Sequence, residues 1–261
     1  MDRSLRHRGR AFWEERARRI GPDVLDYVRA VFDSDEVLSM LRQVQAIVTH
    51  VEKFPRDRAQ AACRRAHHYA NFTYVVAERE GGEGFVIDPS FGIDPVLAGI
   101  DRRSAKIRYI LNTHRHRDHI AGNADVRART GAQVVAHTSA PIGQDLSVND
   151  GDVLTVGGLK VQVVHTPGHT PDSVLYIFEG HVATGDTLFV GECGRTDLPE
   201  GSPEQMYDSL TRRVVALDDA LVVLPGHDYG VTKTSTIGRE KVENYTLKPR
   251  TLEEFLAFLN E

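Results

Sequence analysis

Histidine and aspartate residues stand just after four apolar runs of this chain. The first run, 107–111, leads into 113–119, a segment that holds three histidines and one aspartate. The other three runs lead into 166–169, 185–187 and 225–228. Strands that end at one edge of a layered sheet structure bring their loops together, so these side chains are expected to converge. The candidate ligands of one or two metal ions are His114, His116, Asp118, His119, His169, Asp186 and His227.

The spacing within 113–119 favours two neighbouring ions. Along an extended loop, side chains two residues apart point to the same side, so His114 and His116 can share one ion. Asp118 and His119 stand where the chain turns into a helix, and they can address a second ion. Two adjacent cations repel each other, and a carboxylate between them offsets that repulsion. Asp186 is the expected bridge.

Glycines precede three of the candidate ligands. Pro167-Gly168 and Pro225-Gly226 are typical of type II turns, in which glycine takes the position of positive φ. Each turn would reverse the chain at a strand end and direct its histidine toward the metal. Gly185 is expected to let the backbone approach the ion closely.

A single histidine at a strand end is usually structural, so the other seven histidines are interpreted as structural. His165 alone is also a candidate partner for the second nitrogen of a metal-bound imidazole. This group consists of His7, His50, His67, His68, His137, His165 and His181.

The elements that must position these residues follow from apolar periodicity. Residues 1–66 are predicted to be a helical extension, with Val24, Leu25, Val28, Val31 and Phe32 on one helix face and Val37, Leu41, Val44, Val48 and Val51 on another. It is expected to pack against the core, cover a face or support contacts in a homo-oligomer. Residues 67–261 are predicted to form an α/β domain of stacked layers with sheets inside. Its expected strands are 71–77, 83–88, 107–111, 133–137, 153–156, 160–164, 173–178 and 181–184, and its expected helices are 95–102, 118–130, 203–217 and 251–260.

Composition excludes several classes of function. The chain of 261 residues has a net charge of -5, which argues against a dedicated nucleic-acid binder. Its apolar stretches fall short of the roughly 18 residues of a membrane span, and its N-terminus lacks the apolar core of a secretory signal. The two cysteines, Cys63 and Cys193, cannot form a disulfide framework, so a cytoplasmic location is expected.

The segment 113–119, together with 166–169, 184–187 and 226–227, resembles the metallo-β-lactamase superfamily over residues 69–260. The resemblance implies an αββα sandwich with the metal site at one edge of its two sheets. In members with two metals, the positions of His114, His116 and His169 bind the first ion, and those of Asp118, His119 and His227 bind the second. The position of Asp186 bridges the two ions.

Three further stretches are similar to the glutathione persulfide dioxygenases, relatives of glyoxalase II. They are 191–197, 227–229 and 234–241 with Asn244. Only 34 residues follow His227, too few for the helical thiol-binding domain of glyoxalase II. The resemblance implies that Arg195 and Tyr229 contact a small-molecule thiol, persulfide or thioester substrate.

The same ligands suit two chemistries. With one Fe(II), the resemblance implies ligation by His114, His169 and Asp186, a facial triad that leaves positions for substrate sulfur and O2. The terminal sulfur of glutathione persulfide would be oxidised to sulfite. With two Zn(II) ions, a bridging water would lose a proton near neutral pH, and Asp118 would orient it toward a thioester or ester carbonyl. Residues 191–197 and the short C-terminus favour the dioxygenase over the glyoxalase II-like hydrolase.

A nuclease and a non-enzymatic scaffold are the remaining candidate functions, and Cys193 and Arg195 each have a structural alternative to a role in the site. Nucleases of this fold carry basic surfaces or added domains, and neither is evident in this acidic chain. A non-enzymatic scaffold would be expected to lack ligands, yet all seven are present. Cys193 has no neighbouring base and is interpreted as a small residue near the site rather than a nucleophile. Arg195 and Asp197 could pair with each other instead of contacting substrate.

Overall fold

The computed structural model describes residues 10–33, 48, 53, 56 and 71–259. Contacts divide the chain into two compact units, Met1–Ala70 and Asn71–Glu261. In the first unit, α1 (Arg10–Ile20) and α2 (Pro22–Asp33) share an apolar cluster that includes Trp13 and Ala17. The predicted inward positions Val24, Leu25 and Val28 are buried in it. Of the second predicted face, Val48 is also buried in this cluster, whereas Val37, Leu41, Val44, Val51 and the predicted boundary after residue 66 lie outside the described residues.

The second unit contains two β-sheets. The strands of the first sheet, from β1 to β5, are Tyr74–Ala77, Glu83–Ile87, Lys106–Leu111, Gln133–His137 and Leu146–Val148. Those of the second, from β6 to β11, are Val153–Val156, Leu159–His165, Val174–Phe178, His181–Gly185, Val222–Pro225 and Ser235–Thr236. The first sheet has the order β1-β2-β3-β4-β5, with β1 antiparallel to β2 and the remaining neighbours parallel. The second has the order β11-β10-β9-β8-β7-β6, and only the pair β9 and β10 is parallel.

Helices cover the outer face of each sheet. The first sheet is covered by α3 (Asp94–Arg102) and α5 (Asn123–Thr130), which follows the short α4 (Arg117–Ile120). The second is covered by α6 (Pro203–Asp208), a π-helical turn (Ser209–Val214), α7 (Ile237–Glu243) and α8 (Leu252–Leu259).

Three apolar clusters hold these layers together. Between the sheets, Phe85 and Leu111 of the first sheet pack with Val163 and Tyr176 of the second. The outer clusters join Ile100 of α3 to the first sheet, and Met206, Leu210 and Phe255 to the second. Helices therefore enclose two sheets packed face to face, and the predicted αββα sandwich is confirmed.

The structure differs from the predicted elements in several places. The helix expected over 118–130 is interrupted, because the Gly122 amide donates to the carbonyl of Pro89 at 2.8 Å and Gly122 lies against that loop. The helix expected over 203–217 changes to a π-helical turn at Ser209. Strand β5 and helix α7 were not predicted, because β5 has three residues and α7 carries mostly polar ones. Within the described part of the chain, no helix combines the length and the apolar character needed to cross a bilayer.

Candidate metal centre

The seven predicted ligands meet at one edge of the sandwich and come from both sheets. His114 and His116 follow β3 of the first sheet, and Asp118 and His119 lie on α4. From the second sheet, His169 lies in the turn between β7 and β8, Asp186 follows β9 directly, and His227 follows β10. Their ligand atoms form three overlapping groups, and within each group these atoms lie within 4.8 Å of one another. The groups are His114, His116 and His169; His114, His119 and Asp186; and Asp118, His119 and His227.

The first group consists of three imidazoles with adjacent nitrogen atoms. His116 Nδ1 lies 3.0 Å from His114 Nε2 and 2.9 Å from His169 Nε2. Burial, with the nearby His119, holds the pKa of His114 well below its usual value. Burial, with the nearby His169, lowers the pKa of His116 to about 4. Neutral imidazoles with free lone pairs are the form that binds a cation, so His114 and His116 have the protonation state that a metal needs.

Asp186 lies between the first group and the remaining ligands. Its Oδ2 is 3.5 Å from His169 Nε2 and 3.2 Å from His227 Nε2, and its Oδ1 is 3.3 Å from His119 Nε2. Burial alone would raise the pKa of Asp186, but His119 and His227 outweigh it and keep the pKa well below its usual range. Asp186 is thus an ionised carboxylate that reaches histidines on both sides.

The site also has the properties of a cation-binding cavity. Asp186 Oδ1 is buried, and it accepts no hydrogen bond of normal geometry from the described residues. A buried carboxylate oxygen in that state carries a large desolvation cost unless a cation or donor reaches it. Imidazole nitrogen and carboxylate oxygen are common zinc and iron ligands. The residues present therefore fit a bound metal.

Gly226 keeps this cavity open. A Cβ atom at this position would lie 2.3 Å from Asp186 Oδ1 and 2.8 Å from His119 Cε1. Gly226→Ala is therefore expected to displace both side chains and to weaken metal binding by at least about tenfold, the range for changes next to metal ligands. Zinc titration of the apoprotein would measure this.

Gly99→Ala, in helix α3, is the matched control. The atom nearest to a Cβ at Gly99 would be Arg102 Nη2, at 3.9 Å, so the substitution causes no close contact. Equal zinc affinity in Gly226→Ala and Gly99→Ala would contradict the role given to Gly226.

Asp88 supports the site, although it is not among the residues predicted from the sequence. Its Oδ1 accepts the backbone N–H of Thr113 at 2.7 Å. Its Oδ2 accepts the hydroxyl of Thr113 at 2.6 Å and lies 2.9 Å from His119 Nδ1. An imidazole that donates one N–H to a carboxylate presents its other nitrogen to a metal in a fixed orientation. The available signal was a fifth apolar run, at the end of β2, which Asp88 follows directly.

Two further contacts hold ligand side chains. His169 Nδ1 lies 2.7 Å from the backbone carbonyl of Arg195, and Asn71 Nδ2 donates to Asp118 Oδ2 at 3.0 Å. The suggestion that His165 supports a ligand is wrong, because its ring stacks on His137 and its Nε2 lies 2.8 Å from the carbonyl of Pro171. Sequence spacing gives no signal for a backbone carbonyl partner such as that of Arg195.

The glycines before the ligands act through close packing more than through turn type. Gly168 has a φ of 145°, and a Cβ there would lie 2.5 Å from the Met206 backbone. Gly226 does not have the positive φ predicted for it, so the proximity of Asp186 and His119 is what requires glycine there. Gly185 has a φ of 47° and lies against the side chain of Thr113.

Arg195 and Tyr229 lie on the surface around the site. The guanidinium of Arg195 donates two hydrogen bonds to Asp197, at 2.6 and 2.7 Å, so the alternative pairing is present. Tyr229 is 58% exposed, and its ring stacks on His227 with centroids 4.9 Å apart. Tyr229 therefore forms an aromatic surface directly over a candidate ligand.

The loop 189–193 beside the site is fixed from α7. Glu240 accepts the backbone N–H of Gly191 at 2.8 Å, and Asn244 donates to the carbonyl of Glu192 at 3.1 Å. Cys193 is buried at the end of this loop, and burial raises the pKa of its thiol to about 12. A thiol in that state is a poor nucleophile, which agrees with the structural interpretation of Cys193.

Comparisons with known proteins find similar sequences and a similar structure. The family model described as "Metallo-beta-lactamase superfamily" matches residues 68–141 and 138–227. The human "Persulfide dioxygenase ETHE1, mitochondrial" is 33% identical over 195 residues, which cover 72% of this chain and 75% of that protein. The hydroxyacylglutathione hydrolase of Rhodospirillum rubrum is 40% identical over 193 residues, with coverage of 70% and 72%. The crystal structure of ETHE1 from Myxococcus xanthus superposes with a TM-score of 0.70 at 35% identity, covering 75% of this chain and 87% of that one.

Proposed function

This chain belongs to the metallo-beta-lactamase superfamily, and we propose that it is a glutathione persulfide dioxygenase that uses one Fe(II). Its relatives include metal-dependent enzymes of two kinds, persulfide dioxygenases and hydroxyacylglutathione hydrolases. The observation that carries the choice is the similarity to ETHE1 from Myxococcus xanthus, which extends over 87% of that chain at 35% identity.

The geometry of three ligands supports an iron site. Ligand atoms of His114 lie within 4.8 Å of those of His169 in one group and of Asp186 in another. His169 Nε2 lies 3.5 Å from Asp186 Oδ2. Two imidazoles and one carboxylate on one side of an ion are the ligand set of many non-haem iron oxygenases. Iron held there would supply the redox chemistry that converts the terminal persulfide sulfur, with O2 and water, to sulfite and free glutathione.

The other residues would prepare the site and bind the thiol. The negative charge of Asp186 offsets part of the charge of a divalent ion, while Asp88 and the Arg195 carbonyl fix the imidazoles of His119 and His169. Tyr229 would contact the glutathione chain with its exposed ring. The guanidinium of Arg195 would exchange the Asp197 carboxylate for a carboxylate of glutathione, a group of the same geometry.

A second candidate is a dinuclear zinc hydrolase of glutathione thioesters. The ligand atoms of Asp118, His119 and His227 also lie within 4.8 Å of one another, with Asp118 Oδ2 3.5 Å from His227 Nε2 and 3.7 Å from His119 Nε2. The hydroxyacylglutathione hydrolase of Rhodospirillum rubrum has the higher identity, 40%. In this alternative Asp118 would orient the attacking hydroxide.

Metal analysis together with oxygen uptake separates the two functions. The protein would be purified without added metal, and O2 consumption would be followed with glutathione persulfide. The expected result is one iron per chain and persulfide-dependent O2 uptake with sulfite as a product. Two zinc ions per chain, hydrolysis of S-lactoylglutathione and no O2 uptake would overturn the dioxygenase and support the hydrolase.

Arg195→Ala tests the substrate contact. Because loss of a charge-assisted contact weakens binding by about 1.5–3 kcal/mol, KM for the glutathione substrate is expected to rise roughly tenfold to a hundredfold, with metal content unchanged. The control is Arg239→Ala, which removes another exposed arginine, one that pairs with Glu243 within α7. Wild-type kinetics in Arg195→Ala would remove this residue from the substrate site.

A further inference from the structure

Arg115 connects the two loops that carry the first ligand group. It lies between His114 and His116 in the chain, but its guanidinium pairs with Asp172 instead, Nε to Oδ1 at 3.4 Å. Asp172 follows His169 by three residues. The two loops also approach through their backbones, since Val174 N donates to the carbonyl of Thr113 at 2.8 Å. The ion pair therefore spans the point where the ligands from the two sheets come together.

Asp172 is an unusual residue for this position. It is 1% exposed, and neither carboxylate oxygen has a hydrogen bond of normal geometry among the described residues. Burial raises the pKa of Asp172. A buried carboxylate costs stability unless a cation neutralises it, and among the described residues only Arg115 pairs with it. A carboxylate at this place is therefore better explained by what it does to Arg115 than by stability.

A second carboxylate joins Arg115 to a third loop. Arg115 also pairs with Glu200, an exposed residue of the segment that contains Arg195. This segment returns to the His169 loop, because Ser202 N donates to the carbonyl of Gly168 at 2.8 Å. Arg115 thus contacts a buried acid beside the ligands and an exposed acid on the segment of the proposed substrate contact.

We propose that Arg115 and Asp172 are positioning residues that set the distance of His114 and His116 from His169. This inference rests on the metal centre of the proposed function, and it adds a specific determinant of metal affinity. With the ion pair intact, the distances between the three imidazoles are fixed before the metal binds. Binding then costs less conformational entropy in the two loops. Without the ion pair, the 114–116 loop and the 169–172 loop lose their ionic connection, and metal affinity falls.

Zinc titration of the full-length apoprotein tests this pairing through a double-mutant cycle. Asp172→Asn keeps the shape of the side chain, and Arg115→Met keeps most of its length. Each is expected to weaken zinc binding by about tenfold, the lower end for residues that orient ligands. The double variant is expected to be no weaker than either single variant, because both remove one interaction. Arg115→Lys is expected to restore affinity in part.

Cobalt(II) absorption separates positioning of the ligands from general stability. The visible bands of bound cobalt report ligand geometry, and they are expected to shift in Asp172→Asn. Asp101→Asn is the matched control, since it weakens an exposed arginine pair between α3 and α5 at 2.8 Å. It is expected to leave affinity and spectrum unchanged.

Two results would overturn the inference. One is zinc affinity in Asp172→Asn within about twofold of wild type, the error of such cycles. The other is additive losses in the double variant with an unshifted cobalt spectrum. Absence of zinc binding by the wild-type protein would instead refute the metal centre itself.

Discussion

Asp186→Ala is expected to give a folded protein that retains almost no metal after purification. Asp186 is the carboxylate that reaches both ligand groups, with its two oxygens 3.2–3.5 Å from nitrogens of His119, His169 and His227. Its removal takes away the negative charge that a divalent ion would meet at the centre. We expect metal affinity to fall by more than about a hundredfold, beyond the effect of residues outside the ligand set. Metal analysis of the purified variant measures this, and activity is expected to be lost with the metal.

Two variants make the Asp186 result interpretable. Asp186→Asn keeps the shape of the side chain but not its charge, so it is expected to lose metal as Asp186→Ala does while circular dichroism remains that of wild type. Asp197→Ala removes an exposed acid of the 195–197 segment and is expected to retain full metal content. Full metal content in Asp186→Ala would refute the bridging role.

Asp88→Ala is expected to cause the largest loss of stability. The carboxylate of Asp88 is 2% exposed, and it accepts from Thr113 N, Thr113 Oγ1 and His119 Nδ1. Alanine would leave the Thr113 N–H and the His119 Nδ1–H buried without this acceptor, at about 1–3 kcal/mol each. The Thr113 hydroxyl would keep only its contact with His114 Nδ1, at 3.1 Å. Allowing for partial relaxation, we expect the free energy of unfolding to fall by about 3–5 kcal/mol and the Tm by roughly 10 °C. Chemical denaturation of Asp88→Ala and of the wild-type protein, both without metal, measures the difference.

Asp145→Ala is the matched control for Asp88. Asp145 also accepts a backbone N–H in the first sheet, that of Val134 at 2.7 Å, but it does so at the surface. Water can replace its carboxylate there, so its Tm is expected to change far less than that of Asp88→Ala. Equal losses in the two variants would show that the three buried donors do not depend on Asp88.

The convergence of the seven candidate ligands could be predicted from the sequence because each lies within a few residues of an apolar run. These apolar runs form strands, and the ends of those strands lie at one edge of the sandwich. A residue that follows such a run in the sequence was therefore expected at that edge. The same argument applies to Asp88 at the end of β2, but that residue stands alone rather than in a histidine-rich segment. The order of strand and helix patterns predicted stacked layers with sheets inside, and the resemblance to the metallo-β-lactamase superfamily implied the αββα sandwich.

Contacts between distant loops could not be predicted in this way. The hydrogen bond between Asn71 and Asp118 joins residues 47 positions apart. The role of Asp172 depends on its ion pair with Arg115, which the sequence does not indicate. Arg195 was predicted as a substrate contact, yet its backbone carbonyl also holds His169. The similarity of 234–241 to the dioxygenases did not indicate what Glu240 does. Its carboxylate accepts the backbone N–H of Gly191. Such roles depend on packing, which no periodicity encodes.

The origin of the ligands in both sheets has a mechanical consequence. His114 follows a strand of the first sheet, and His169 precedes a strand of the second, 55 positions later. An ion bound by both closes that stretch of chain into a ring, as a disulfide does in secreted proteins. For a loop of this length, the loss of entropy in the unfolded chain corresponds to about 4 kcal/mol. The ion would therefore be a reversible cross-link between the two sheets of the sandwich. The supply of metal would then set how much this cross-link stabilises the folded chain.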